Sequence, residues 1–256
     1  MFPVKPSSKF EADYFTNLKC PVHINGECEI LCCKKGELQV NVNDTQFTLR
    51  QNQTLFIMPF EYHEFSTPKN SECIRFIIYS QSAQSFFDTI ENKKATKRIF
   101  TTDIKTLNYI ESILEPNTDI VTTKAITYVL SRMILKNCQF AENSNGELSL
   151  FTQALNYILN NFASGITLES TAKNLGVHPV HLSRTFSNNS KYKFTEYLNL
   201  MKFSNAQLLL KNTDKSITEI SFESGFNSLR NFNRIFYSIA KMTPSEYRKS
   251  SSSINF

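Results

Sequence analysis

A repeated pattern in the last hundred residues constrains the fold of this 256-residue chain more than any other feature. Ala172 and Gly176 recur as Ser221 and Gly225, 49 residues later, and an Arg-x-Phe segment follows each pair at an offset of 50 residues. A small residue allows close helix packing, and a glycine four residues on permits the positive φ of a helix cap. Two copies in register predict a tandem helix-turn-helix.

The segment between the two copies predicts a single rigid helix. Residues 194–210 contain neither glycine nor proline, and 17 residues at about 1.5 Å each span roughly 26 Å. A helix of that length can hold two recognition helices about one DNA turn, roughly 34 Å, apart. We therefore expect one chain to contact two successive major grooves.

The distribution of charge agrees with a nucleic-acid partner for this part of the chain. Residues 150–256 carry 12 Lys and Arg against 6 Asp and Glu, whereas residues 1–149 carry 16 against 17. The last 107 residues therefore have a net charge of +6, whereas the first 149 have −1, so the second part accounts for the positive charge of +5 on the whole chain. Such an asymmetry favours a polyanion-binding domain joined to a neutral one.

The first half has the period-two pattern of an antiparallel sheet. Apolar residues alternate with polar ones over 38–42 and 47–49, on either side of a polar turn at 43–45, which predicts a hairpin. Apolar runs at 55–58 and 74–79 add two strands, and such spacing predicts a small barrel or sandwich.

Helical spacing follows the strands and leads to a polar stretch. Segments 83–92, 103–115 and 120–139 are predicted helices, and the polar stretch after residue 140 is a predicted linker. The expected fold class is α+β with two domains: a small cupin-like β-barrel with following helices, then an all-α tandem helix-turn-helix. The expected boundaries are 1–140 (barrel about 20–80, helices about 83–139), 141–149 for the linker and 150–250 for the DNA-binding domain.

No motif for catalysis or for a cofactor is present in the sequence. The chain contains no nucleophile elbow, no P-loop and no dinucleotide-binding glycine motif. Six cysteines lie in the first half without a C-x-x-C pair, so we expect reduced thiols, with a redox switch as the alternative. Only His23 and His63 occur in that half, which favours a structural or ligand-lining His63 over a metal ligand. We expect no metal, no cofactor and no enzymatic activity.

Residues 150–249 resemble the tandem helix-turn-helix domain of the AraC/XylS family of bacterial transcription regulators. The resemblance is most specific in the second repeat, over 217–228, 232–236 and 243–248. The first half resembles, less specifically, the effector and dimerisation domain of many members, through 36–38, Leu49, Pro59 and His63. Three features depart from the family: Lys191 and Lys241 stand where glycine is common, Lys202 stands where Arg is usual, and Ser221 replaces a usual Ala.

The resemblance implies DNA contacts from the exposed faces of both recognition helices. The expected DNA-binding residues are Val180, His181, Ser183, Arg184, Lys191, Ser228, Leu229, Arg230, Asn231, Asn233 and Arg234. Arg can pair with guanine and Asn with adenine in the major groove. The expected effector-binding residues in the first half are Lys34, Phe56, Phe60, His63, Arg75 and Tyr79, with Lys34 or Arg75 for an anionic ligand.

The leading hypothesis is a sequence-specific, ligand-responsive regulator, in particular an activator, with RNA polymerase as a partner and a homodimer formed through the N-terminal domain. One alternative is control by a protein partner rather than a small ligand. Another is a cupin-type metalloenzyme with a helical appendage, and a third is an architectural nucleic-acid binder. With no apolar run long enough for a membrane span and no secretory N-terminus, we expect a cytoplasmic protein.

Overall fold

The computed structural model describes residues 11–16, 19–68, 71–115, 118–142 and 146–252. Contacts divide these residues into two compact units. One unit contains 26–142 with 11–20, and the other contains 146–252 with 21–25. In the described residues, no helix is long and apolar enough to cross a membrane.

The N-terminal unit is built on two antiparallel sheets rather than one closed barrel. The first has the order β1-β8-β3-β6-β10, with β3 at its centre. In the second, β4 lies between β7 and β5. The strands of the described residues are β1 (Glu11–Thr16), β2 (Lys19–Ile24), β3 (Cys28–Lys35), β4 (Glu37–Val42), β5 (Thr45–Arg50), β6 (Gln53–Ile57), β7 (Tyr62–Ser66), β8 (Glu72–Ile78), β9 (Lys93–Lys97), β10 (Ile99–Thr101) and β11 (Gln139–Glu142). Residues 21–24 of β2 are assigned to the other unit.

The predicted hairpin at 38–49 is present as β4 and β5. Val42 pairs with Thr45, so Asn43 and Asp44 form a two-residue turn. Both residues have positive φ, 47° and 66°, as a tight hairpin turn of matching twist requires. The side chains of Leu38, Val40 and Leu49 then point to a buried core between the sheets.

Three helices cover the other face of the first sheet: α1 (Gln84–Ile90), α2 (Ile104–Ile113) and α3 (Ile120–Asn137). Asp103 and Asp119 cap α2 and α3, since each carboxylate accepts two backbone N–H bonds. The region after residue 83, which the sequence predicts to contain helices and a linker, also contains strands. Two of them, β9 and β11, pair with each other. Ala141 and Glu142, placed in the predicted linker, belong to β11, and α4 begins at Gly146; residues 143–145 lie outside the described part of the chain.

The C-terminal unit contains seven helices in its described residues. Two helix-turn-helix motifs, α5–α6 and α8–α9, flank the long helix α7, as the repeat predicts. The helices are α4 (Gly146–Asn161), α5 (Leu168–Asn174), α6 (Pro179–Asn189), α7 (Phe194–Asn212), α8 (Ile217–Glu223), α9 (Leu229–Ala240) and α10 (Pro244–Ser252).

Each motif has its own aromatic core. In the first, the ring of Phe186 lies 5.1–5.8 Å from the rings of Phe151, Phe194 and Tyr197. In the second, Phe232 and Phe236 are fully buried together with Phe203 of α7. Because α7 supplies residues to both cores, the two motifs share one structural element.

One departure from the family pattern leads to a stability prediction. Lys241 ends α9 with φ 57° and ψ 21°, the left-handed region, whereas its counterpart Lys191 is not among the positive-φ residues. A side chain strains that conformation. We expect Lys241→Gly to raise the free energy of unfolding by about 1 kcal/mol. Lys191→Gly, the matched control, should give no gain in urea unfolding followed by circular dichroism, and an equal gain would contradict the explanation.

Candidate DNA-binding interface and buried charge cluster

The second recognition helix presents one polar face to solvent. Arg230, Asn233, Arg234 and Tyr237 follow the spacing i, i+3, i+4, i+7, which places them on one side of α9. All four are exposed, whereas Phe232 and Phe236 on the opposite side are fully buried. Two guanidinium groups, an amide and a phenol are therefore available on a single helix face.

The N-terminal end of α9 is fixed by local hydrogen bonds. The Oγ of Ser228 accepts a bond of 3.2 Å from the backbone N–H of Asn231, which caps the helix. The guanidinium of Arg234 donates to the Oδ1 of Asn231 at 2.9 Å. Since Arg230 stands at the first turn of the capped helix, its side chain projects from the end that enters the groove in helix-turn-helix proteins.

The first recognition helix has the same arrangement with different side chains. Val180, Ser183, Arg184 and Ser187 of α6 are exposed at positions 50 residues before the four of α9. His178 caps this helix, and Pro179 occupies its first turn. The α6 face carries one guanidinium and the α9 face carries two, so the faces are alike in geometry and unlike in chemistry.

The predicted DNA-binding residues lie where the tandem-motif interpretation expects them. Most are exposed; Leu229 and Asn231 are half-buried. Lys191 is exposed, and its ammonium lies 5.2 Å from the centre of the Tyr192 ring. The sequence interpretation missed Ser187 and Tyr237, which the register of the repeat could have identified. DNA contact by these residues stays a prediction.

In the N-terminal unit, charged side chains form a cluster between the strands. The Nε2 of His63 lies 3.1 Å from Glu29 Oε1, and Nη1 of Arg75 lies 3.8 Å from Glu29 Oε2. Arg75 also pairs with Asp13. Glu29 and His63 are almost completely buried. Two of the predicted effector residues, His63 and Arg75, therefore lie together, and Glu29 and Asp13 are partners that the sequence did not indicate.

The surroundings of His63 favour its charged form. The backbone O of Glu61 lies 2.9 Å from Nδ1, so acceptors face both ring nitrogens. Burial alone lowers the pKa of His63, but the charge and hydrogen bond of Glu29, with the Glu61 carbonyl, raise the pKa above its ordinary value overall. The buried Glu29 carboxylate is therefore the main group that favours protonation of His63.

This raised pKa predicts how stability depends on pH. The contribution of the protonated His63 is complete below the unfolded pKa of about 6.5 and is lost as pH rises through the higher folded pKa. We expect His63→Gln to flatten that loss in urea unfolding as the pH rises above about 6.5. Burial raises the pKa of Glu27 to about 7, so this carboxyl also titrates in the same range. It does so in the wild type and in the variant alike, and its contribution therefore cancels when the two stability profiles are subtracted. An unchanged profile in the variant would contradict the assignment.

The other predicted effector residues do not join this cluster. Lys34 pairs with Glu111 at 2.6 Å and lines a separate cavity of about 130 Å³. Phe56 is fully buried in the core beneath the helices. Phe60 has φ 65° in a turn, and Tyr79 precedes a short 3₁₀ turn. Their role in effector binding stays a prediction.

The space between the two sheets is filled largely by side chains. Leu31, Leu38, Leu49 and Leu55 there are completely buried, and their neighbours form one continuous apolar core. A cavity of about 270 Å³ lies at the polar positions of β4, β5 and β7, and none of the predicted effector residues lines it. The described region between the two sheets is therefore a packed core, with the His63–Arg75 cluster as its buried polar part.

Comparison with known families gives two matches. A model described as an AraC-like ligand binding domain matches residues 6–115, and a model described as a helix-turn-helix domain matches residues 171–250. Among curated proteins, the HTH-type transcriptional regulator YijO of Escherichia coli K12 is 35% identical over 101 residues, covering 40% of this chain and 36% of YijO. The regulator SAS0078 of Staphylococcus aureus MSSA476 is 24% identical over 234 residues, covering 90% of this chain and 30% of that protein. The chain thus spans about a third of the length of these relatives.

Solved structures of ToxT from Vibrio cholerae share the fold. An apo form from strain SCE256, carrying a single substitution, covers 93% of this chain and 96% of its own, with a TM-score of 0.68 and 15% identity. Wild-type ToxT bound to an unsaturated fatty acid covers 93% and 94%, with a TM-score of 0.67 and 16% identity. At this identity the likeness shows the fold alone.

The two matches agree with the two parts of the fold: the two large sheets lie within the first match, and the two helix-turn-helix motifs lie almost entirely within the second. The predicted α+β fold class is confirmed, with two sheets in place of a closed barrel. Both matches agree with the resemblance to the AraC/XylS family of transcription regulators that the sequence shows.

Proposed function

We propose that this chain is a sequence-specific transcription activator that contacts two successive major grooves of one DNA duplex. The observation that carries the proposal is the pair of exposed helix faces on α6 and α9, built at equivalent positions 50 residues apart. The residues that contact DNA are those predicted from the sequence, with Arg230 at the capped end of the α9 face and Arg184 in the middle of the α6 face. Lys191 and Ser228 hold phosphates beside the grooves.

Selection from a random duplex library of about 30 base pairs tests sequence specificity and groove spacing together. The full chain should enrich one bipartite sequence and protect two stretches about 10 base pairs apart in a hydroxyl-radical footprint. Affinity should fall steeply with salt, because each contacted phosphate releases counterions. Broad, unselective protection would instead identify an architectural binder and overturn the proposal.

Activation through RNA polymerase is tested on the selected site. Placed upstream of a weak promoter, that site should increase transcription by purified bacterial RNA polymerase when the chain is added. A template with the site scrambled is the control. Repression, or no change at full occupancy of the site, would contradict an activator.

Helix α3 supplies a surface suited to a homodimer. Its exposed residues Val121, Ala125, Tyr128, Arg132 and Leu135 are spaced 4, 3, 4 and 3 apart, the seam pattern of a coiled coil. Val121 is 72% exposed, although it is apolar. Burial of these side chains against a second α3 removes apolar surface from water.

A charge placed in the seam tests this dimer. Tyr128→Asp should shift sedimentation velocity toward the monomer, because an aspartate would be buried in the helix pair. Tyr109→Asp on α2 is the matched control, since Tyr109 is similarly exposed and lies outside the seam. If both variants sediment like the wild type, α3 is not the dimer interface.

The N-terminal domain receives the signal, and the His63–Arg75 cluster is the proposed contact for a small anionic effector. Solved ToxT structures hold an unsaturated fatty acid and a butenoic acid derivative, both carboxylic acids, and Arg75 offers a cation that a carboxylate can pair with. The packed core between the sheets favours the second candidate, control by a protein partner.

A thermal-shift titration of the full chain with oleic acid separates these candidates. A saturable rise in the unfolding temperature that Arg75→Lys weakens supports a carboxylate effector, because a ligand stabilises the state it binds. No shift across oleic acid and short-chain carboxylates would favour the protein partner.

A further inference from the structure

The two helix-turn-helix turns have the same backbone geometry. Gly176 and Gly225 have φ of 68° and 82°, so both adopt the left-handed conformation. In each turn the residue after the glycine donates to a carbonyl five residues back: Val177 to Ala172 at 3.0 Å, and Phe226 to Ser221 at 3.1 Å. By themselves, the turns give no reason for the two glycines to differ.

Their surroundings differ sharply. A Cβ atom at Gly176 would meet nothing within 4 Å. A Cβ atom at Gly225 would lie 2.6 Å from the Cα of Ala163 and 2.8 Å from the carbonyl oxygen of Phe162. Both neighbours are backbone atoms of the 3₁₀ turn Phe162–Ser164, which precedes the first motif. The turn of the second motif therefore rests directly on the segment that leads into the first motif.

This contact is connected to the second recognition helix through packed side chains. Phe226, next to Gly225, is buried, and its ring lies 5.1 Å from the ring of Phe232 on α9. The ammonium of Lys202 on α7 lies 5.7 Å from the centre of the Phe226 ring. Asn205 of α7 donates to Ser224 at 3.5 Å. A displacement of the Gly225 turn would therefore be transmitted to α9.

We propose that Gly225 is a positioning residue that sets the placement of α9 relative to α6, through its contact with the backbone of Phe162 and Ala163. Helix α7 connects the two motifs, and the Gly225 contact is a second attachment between them. This inference rests on the proposed bipartite DNA binding. It assigns Gly225 and Gly176 different roles although they occupy equivalent positions in the repeat.

Paired asparagine substitutions separate the contact from backbone strain. Asparagine tolerates the left-handed conformation better than other residues with a Cβ. Gly176→Asn adds a Cβ in open space, and Gly225→Asn adds one against backbone. Each full-length variant is titrated by fluorescence anisotropy with the selected duplex and with two derivatives, in which one or the other half-site is scrambled.

For the wild type and Gly176→Asn, we expect the intact duplex to bind about 100-fold tighter than either derivative, because the second contact is intramolecular. For Gly225→Asn, this preference should fall about tenfold or more, while affinity for each single half-site stays close to the wild-type value. Duplexes with one base pair added or removed between the half-sites should lose less affinity with Gly225→Asn than with the wild type.

Each other outcome overturns the inference. An unchanged preference in Gly225→Asn would show that α7 alone sets the spacing. Loss of second half-site binding, or of cooperative unfolding, would show that Gly225 serves the folding of its own motif rather than its placement. A wild type that enriches no bipartite site would instead refute the proposed function.

Discussion

Arg230→Ala is expected to remove most of the sequence-specific affinity for the selected duplex while leaving the fold intact. Arg230 is exposed at the capped end of α9, and a guanidinium there can form two hydrogen bonds with a guanine. Loss of such a pair costs about 1–3 kcal/mol, a reduction in affinity of roughly five- to 150-fold. Anisotropy titrations with the selected duplex measure the effect.

A charge-matched control separates base recognition from general electrostatics. Arg50→Ala removes the same charge from an exposed position on β5, outside the helix-turn-helix motifs, and should leave the affinity unchanged. Binding of Arg230→Ala to scrambled DNA should also change little, because base contacts and not phosphate contacts carry specificity. Unaltered affinity for the selected duplex would remove Arg230 from the recognition set.

Phe186→Ala is expected to have the largest effect on stability, about 3–5 kcal/mol, because it leaves a cavity among three aromatic rings. Phe186 of α6 is completely buried against α4 and α7. The same substitution at Phe222, which is 55% exposed on α8, should change the free energy of unfolding little. Urea unfolding followed by circular dichroism compares them, and equal losses would contradict the assigned core.

The repeat made the C-terminal unit predictable in detail. Ala172, Gly176 and their counterparts identified both turns. The helix predicted over 194–210 is observed as Phe194–Asn212, two residues longer. The N-terminal unit was less predictable, because short strands are set by pairing with distant segments. Strand β9 at 93–97 and strand β11 at 139–142 pair with each other across more than 40 residues, and neither has a local pattern that separates it from a loop or a helix end.

The candidate sites differ in the same way: positions on a helix face could be predicted from local sequence, whereas contacts between distant strands could not. The exposed positions of α6 and α9 follow from helical periodicity alone. By contrast, Phe56 stands in a continuous apolar run, and the run does not indicate that its side chain points toward the helices rather than between the sheets. Glu29 could not be identified as the partner of His63, because 34 residues separate them and they lie on strands of two different sheets.

If the two recognition faces contact DNA as proposed, their unlike side chains give the chain a direction on the duplex. The α6 face offers Val180, Ser183, Arg184 and Ser187, whereas the α9 face offers Arg230, Asn233, Arg234 and Tyr237. A single chain bound across both grooves has no twofold symmetry, so its target site is asymmetric and can be read in one orientation only. Inverting the site relative to a promoter would therefore present the opposite end of the protein to any other protein that binds at that promoter.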